Sequence, residues 1–200
     1  MNRSSSFIVI AGFFAQLTCA TTLSAQSVPN HQWSHGTTLG ISAGGGNAPD
    51  IDARGALGAA VGWEINRWIG IEGAGTWLVA RRGNEAFAAD LTALVNLTRP
   101  QTAVPFVAAG VGLMRASFDS SAALPDFYRR PAESGTSLVH PIFTDPTLTV
   151  GAGVNIAAGG HLSVRPDIGL RLVMRGSDTY PVTVAAVHVI YHFEVHDVGR

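Results

Sequence analysis

The sequence predicts an all-β protein: an eight-stranded antiparallel up-and-down transmembrane β-barrel. Three observations predict it. Short segments alternate between aliphatic residues and small or polar ones along most of the chain. No stretch after residue 26 approaches the roughly 20 apolar residues of a membrane helix, and the links between segments alternate between long and short. The stretch "HLSVRPDIGLRLVM" (161–174) concentrates the pattern. Leu162, Val164, Ile168, Leu170, Leu172 and Met174 recur at every second place, Pro166 interrupts, and Ser163, Arg165, Asp167, Gly169 and Arg171 lie between them.

The first element, residues 1–25, reads as a signal peptide for export. Arg3 supplies the positive start, Phe7 to Ala15 is an unbroken apolar run, and Leu23-Ser24-Ala25 offers a cleavage site before Gln26. Cys19, the single cysteine, would leave with that leader. Residues 26–200 then form the barrel domain, with strands expected at 36–44, 56–65, 69–79, 86–97, 104–116, 147–157, 161–174 and 181–193. Most of these reach the 9–11 residues that a tilted strand needs to cross a bilayer.

Strand parity sets the environment of each face. Leu57, Ala59, Val61, Trp63 and Ile65 alternate with Gly58, Ala60, Gly62 and Glu64. Ile69, Ile71 and Trp77 oppose Gly70, Glu72, Ala74 and Thr76; Leu148, Val150, Val154 and Ile156 oppose Thr149, Gly151, Gly153 and Asn155. A soluble lipocalin-like barrel, which would bind a ligand in the periplasm, is the alternative, and it buries its apolar face and needs a strongly charged exterior. Here the second face is mostly Gly, Ala, Ser and Thr, and charged residues are only 14% of the chain. Small residues suit the crowded lumen of a narrow barrel, and the aliphatic face suits lipid.

The links support the same reading: 45–55 and 117–146 are long, while 66–68 and 158–160 are short. Trp63, Trp68, Tyr191 and Phe193 fall near one set of strand ends, and Trp77, Phe87, Phe118 and Tyr180 near the other, as two interfacial girdles would. A net charge of −1 with no lysine excludes the polybasic field of a nucleic-acid binder.

The segments "GWEINRWIGIEGAGTWL" (62–78), "PFVAAGVGLM" (105–114), "GAGVNIAAGGHLSVRPDIGLRL" (151–172) and "VIYHF" (189–193) resemble the small outer-membrane barrel proteins of Gram-negative bacteria, the OmpA-like and OmpX-like group. The resemblance implies a cell-surface protein of the outer membrane, porin-like in fold. It also implies that Tyr191 and Phe193 act as a barrel-insertion signal read by the insertion machinery, from which the tail Glu194 to Arg200 departs.

In such a barrel Arg165, Asp167 and Arg171 point into the lumen and need partners across it. Glu72 and Glu64 are the candidates for Arg165, and Asp90 the candidate for Arg171. Pro166, lacking a ladder donor, predicts a local bulge. Outside the lumen, Arg81, Arg82, Arg129, Arg130 and Arg175 would form an arginine rim suited to lipopolysaccharide phosphates, because guanidinium pairs bidentately with phosphate.

Chemistry is sparse. His161-Leu162-Ser163 has the His-x-Ser spacing of lipid A-modifying outer-membrane enzymes, and i and i+2 share a strand face. By parity, however, the pair points inward, away from lipid A. His188, His192 and His196 are spaced for a metal on a helix, but on a strand four residues span about 13 Å. The sequence therefore predicts a monomeric outer-membrane barrel without catalysis, metal or cofactor. Its partners would be outer-membrane lipid and lipopolysaccharide, and its role structural or surface-interacting: membrane integrity, adhesion or contacts through the loops.

Overall fold

Alternating parity builds the wall. The computed structural model describes residues 36–48, 53–80, 84–99, 101–118, 128 and 142–193. Eight strands follow in chain order: β1 (Gly36–Asn47), β2 (Ala53–Glu64), β3 (Ile69–Ala80), β4 (Glu85–Asn96), β5 (Ala103–Ser117), β6 (Ile142–Gly159), β7 (Leu162–Arg175) and β8 (Asp178–His192). Each pairs antiparallel with its sequence neighbours, and β8 returns to β1 through a register that runs from Thr38↔His192 to Asn47↔Thr183. The barrel is closed, so no strand edge is left unpaired. The expected signal segment 1–25, Arg81, Arg82, Arg129, Arg130 and the tail 194–200 lie outside the described residues.

All eight expected strands are present, most of them longer than the alternation implied. The extra length comes out of the links, and this corrects the expected alternation of long and short loops. The terminal rim, where β1 begins and β8 ends, carries links 65–68, 97–102 and 160–161; the opposite rim carries 48–52, 81–84, 118–141 and 176–177. Only 118–141 is long, and the opposite rim is therefore called the loop rim. Ladder pairing absorbs Gly45 to Asn47, Ile142 to Pro146 and Asp178 to Tyr180, because each added residue satisfies its backbone in the sheet.

Tight turns use the residues that such geometry demands. Gly160 (φ 54°) serves β6–β7, and Gly176 (φ 58°) serves a two-residue turn between β7 and β8, both in the left-handed region. Between β2 and β3 the Asn66 side chain accepts from the backbone amides of Trp68 (2.8 Å) and Ile69 (3.0 Å), holding the turn as an Asx motif.

Pro166 does not produce the expected bulge. The β7–β8 register passes through Pro166↔Val187 unbroken. On the other side, Gly153↔Asp167 and Ile156↔Val164 keep one register, and only the two intervening pairs are lost. One absent N–H accounts for this, since a missing donor removes a bond without adding a residue. The irregularity in that ladder falls instead at Ala157/Gly159, beside the turn.

The outer wall is apolar. Ile41, Leu57, Val61, Leu91, Val111 and Leu113 are each more than half exposed, and Leu39, Ile71, Val95, Val150 and Val189 nearly as much. From the terminal rim the outward residues stay uncharged until Glu85 and Arg115 near the loop rim. Exposed surface of this extent on a monomer has to be covered by something apolar. Trp63, Tyr191 and Phe193 ring one rim and Trp77 and Phe87 the other, all exposed. Phe118 and Tyr180, expected in the second girdle, are instead 2% and 7% exposed and lie inside the barrel mouth.

Gly112 shows how tightly the wall wraps its contents. A methyl group there would meet the Ala89 carbonyl oxygen at 2.3 Å and Asp90 Oδ1 at 2.5 Å. Gly112→Ala should therefore destabilise the barrel by about 1–3 kcal/mol, the usual cost of overpacking. Urea unfolding in lipid vesicles, followed by tryptophan fluorescence, checks this; an unchanged midpoint would show that the wall can yield.

Candidate functional site

Inward parity gathers the lumen side chains into layers. Nearest the terminal rim, Ser163 on β7 and His192 on β8 meet, with Ser163 Oγ 2.9 Å from His192 Nε2. Glu64 on β2 stands 3.8 Å from His192 Nδ1. This corrects the expectation for Glu64, which faces the imidazole rather than Arg165.

The next layer crosses the barrel. Arg165 Nη1 and Nη2 donate to Glu72 Oε2 and Oε1, each at 2.8 Å, in a parallel bidentate pair. Asp167 Oδ2 lies 3.5 Å from Arg165 Nε and 3.0 Å from His188 Nε2. His188 Nδ1 is 3.2 Å from Arg165 Nη2. Because a guanidinium only donates, Nδ1 must be the acceptor; the ring proton then sits on Nε2 and is given to Asp167. The Phe106 ring lies 5.6 Å from the guanidinium carbon, closing the layer with a cation–π contact.

Above a tier of glycines and alanines, a second ion pair joins Arg171 on β7 to Asp90 on β4. Thr149 Oγ1 donates to Asp90 Oδ1 at 3.0 Å, and Arg171 Nε approaches the same oxygen at 3.4 Å. All four partners of the two pairs are at most 9% exposed. Their charge is consequently neutralised inside the protein rather than by water.

The lumen is not polar throughout, as the sequence had suggested. Its loop-rim half is an apolar core of Leu78, Met114, Val173 and Val182, none more than 1% exposed, with Ala56, Ala86, Ala88 and Ala116. Leu78 continues the parity of Glu72, Ala74 and Thr76, the signal that would have found this core. At the mouth, Arg175 donates to Asp145 (Nε–Oδ1 2.9 Å), and its guanidinium carbon lies 4.6 Å from the Tyr128 ring and 4.3 Å from Phe143. Arg175 is thus engaged inside the mouth rather than displayed on the rim. From the sequence, Phe143 and Tyr128 are only apolar residues of the long link 117–146, and Asp145 has no role. Asp145 and Phe143 fall in what reads as a loop, and Tyr128 reaches its site through tertiary packing alone.

These arrangements limit the chemistry. His161 does not pair with Ser163; its Nδ1 lies 2.7 Å from the His192 carbonyl oxygen and its ring stacks on Tyr191. Ser163, His192 and Glu64 stand in the order of a nucleophile, base and acid. But the serine side chain is wholly buried, and 3.8 Å is too long for an orienting hydrogen bond. Among the described residues no group of three His, Cys, Asp or Glu side chains could hold a metal. His188 is bound to Asp167 and Arg165 and His192 to Ser163, while His196 lies outside the described residues. A cavity of ≈ 40 Å³ remains at the terminal rim, lined by Glu64, Glu72, Asn155, Arg165 and His192 among others. Its size suits a few waters, which could satisfy the buried Asn155 Oδ1.

A closed eight-stranded up-and-down barrel with an apolar exterior and an ion-paired interior defines the class of small outer-membrane barrels. Residues 13–193 match the model of the outer membrane protein beta-barrel domain, and the chain belongs to that family. Its fold is similar to that of the N-terminal β-barrel domain of Pseudomonas aeruginosa OprF (11% identity, TM-score 0.57, covering 80% of this chain and 99% of that one). It is similar also to Neisserial surface protein A (12%, 0.59, 80% and 97%) and to Ail, the attachment invasion locus protein of Yersinia pestis (13%, 0.51, 80% and 98%). At these identities the likeness concerns the fold alone. Comparison with curated protein sequences gives no match.

Arg165→Met leaves the buried Glu72 without its counterion and should cost about 3–5 kcal/mol of unfolding free energy. Adding Glu72→Met should recover much of that loss, since a buried ion pair replaced by well-packed apolar groups is often neutral. A double-mutant cycle measured by urea unfolding in vesicles decides; additive losses would mean that the two groups do not interact.

Proposed function

We propose that the protein is a non-catalytic outer-membrane barrel, inserted with its terminal rim toward the periplasm and its loop rim outward. It braces the membrane and meets the surroundings through the 118–141 link. The observation that carries this reading is the lumen. Two ion pairs cross it, an apolar core fills its outer half and an aromatic cluster packs into its mouth. An eight-stranded interior filled by side chains is a strut rather than a pore. In planar bilayers the purified protein should give no sustained conductance; stable porin-sized openings would overturn the closed-lumen reading.

Lipopolysaccharide remains the proposed lipid partner, and the structure supplies a residue that the sequence reading missed. Arg115 is exposed on the outer wall of β5, paired in register with Phe87 and Thr144 just below the loop rim. That is the height at which a guanidinium would meet a lipid A phosphate. Arg115→Gln, alone or with Arg81, Arg82, Arg129 and Arg130 changed to Gln, should reduce lipopolysaccharide co-purifying with the barrel. Equal retention in all variants would remove this partner. The lipid A-modifying alternative predicts that Ser163→Ala alters lipid A mass spectra. The buried, inward position of Ser163 predicts no change.

The export signal at 1–25 and the insertion role of Tyr191 and Phe193 belong to the same proposal. Both aromatic side chains face outward at the terminal rim and contact each other edge to face, with centroids 5.1 Å apart.

A further inference from the structure

Tyr128 lies outside the eight strands, yet it is 0% exposed and among the most deeply buried side chains of the barrel. Its ring sits 4.7 Å from Phe118 and 5.1 Å from Phe143, both tilted, while Phe118 and Phe143 are 6.1 Å apart edge to face. The Arg175 guanidinium borders the Tyr128 and Phe143 rings at 4.6 and 4.3 Å, and bidentate pairing with Asp145 fixes it there. These three neighbours, Phe118, Phe143 and Arg175, lie on or beside the barrel strands β5, β6 and β7. The backbones of Phe143 and Arg175 are fixed in the sheet, and Phe118 directly follows β5.

We propose that the mouth of the barrel is a preformed binding site for a single neutral aromatic ring of phenol chemistry, which Tyr128 occupies in cis. The walls specify the ligand class. Two phenyl rings and an arginine face reward a flat π-system, because a cation gains from the negative face of an aromatic ring and not from a saturated one. Asp145 already balances the arginine, so the site offers no net positive charge to an aromatic carboxylate. The Tyr128 hydroxyl is buried together with its ring, so the site has room for a substituent of that size. Such an apolar, pre-shaped cavity emptied of its side chain takes up a matching ring, as engineered aromatic-sized cavities do.

The test uses the full barrel with Tyr128→Ala, in detergent and in vesicles, and phenol, benzoate and cyclohexanol as probes. The readout is the temperature at which the folded, heat-modifiable band on SDS gels is lost. Phenol should raise that temperature in Tyr128→Ala well beyond its effect on the wild type or on Tyr128→Phe, whose sites are filled. Cyclohexanol and benzoate should have little effect. Adding Arg175→Gln should abolish the preference for phenol over cyclohexanol. If Tyr128→Ala fails to reach the folded band unaided, refolding in phenol but not in cyclohexanol should restore it. Equal responses of Tyr128→Ala and wild type to phenol, or a refolding failure that phenol does not relieve, would overturn the proposal.

Discussion

The bidentate pair between Arg165 and Glu72 joins β7 to β3, on opposite sides of the barrel, and it expresses the constraint on which the rest of the structure depends. Eight strands make a circumference so small that inward side chains from facing walls touch. Any charge turned inward must find its counterion at contact distance, and any bulky group must be offset by a small one opposite. Gly112 lies across the ladder from Asp90, and Gly153 from Asp167, each without room for a methyl group. The glycines that make the sequence look loose in composition are what allow the charges to be packed.

This economy divides the lumen into two halves with different physics. Toward the terminal rim the contents are ionic and hydrogen-bonded, and they specify geometry closely because each donor direction is fixed. Toward the loop rim the contents are aliphatic and aromatic, and they exclude water from above the Arg171–Asp90 pair. In the upper half, the Arg175–Asp145 pair keeps its guanidinium against aromatic faces, which suit a weakly hydrated cation. The outer wall has no such division, because lipid asks the same of every outward side chain through its thickness.

Most of the fold could be read from period-two parity, because a lipid-facing strand leaves half of its positions no freedom to be polar. Leu162 to Met174 reveal both faces of β7 before any coordinate is known. The charge partners were legible to the extent that few candidates existed: Arg171 had Asp90, but Arg165 had two glutamates, and only the register of β2 against β8 across β1 puts Glu64 beside His192. Link lengths were poorly legible, since pairing extends a strand through residues such as Asp145 and Pro146 that look like loop. Phe118 and Tyr180 read as girdle residues because nearness to a strand end does not reveal which face a ring takes. Tyr128 could not have been placed at all, since it packs against two rings and a cation drawn from on or beside β5, β6 and β7.

The two-residue turn at Gly176–Ser177 bears on how the chain assembles. It sets β7 against β8 through a register without a break from Leu162↔Tyr191 to Arg175↔Asp178, a hairpin whose contacts are nearly all local in sequence. Hairpins of this kind zip in microseconds once the turn forms. The β1–β8 seam, by contrast, joins residues from the two extremes of the barrel and bears the largest loop-closure entropy of any ladder in it. Assembly therefore has a natural direction, from a quickly formed C-terminal hairpin to a slow final zipper. The glycine-rich half of β1, with Gly44, Gly45 and Gly46, supplies a smooth edge for that last step.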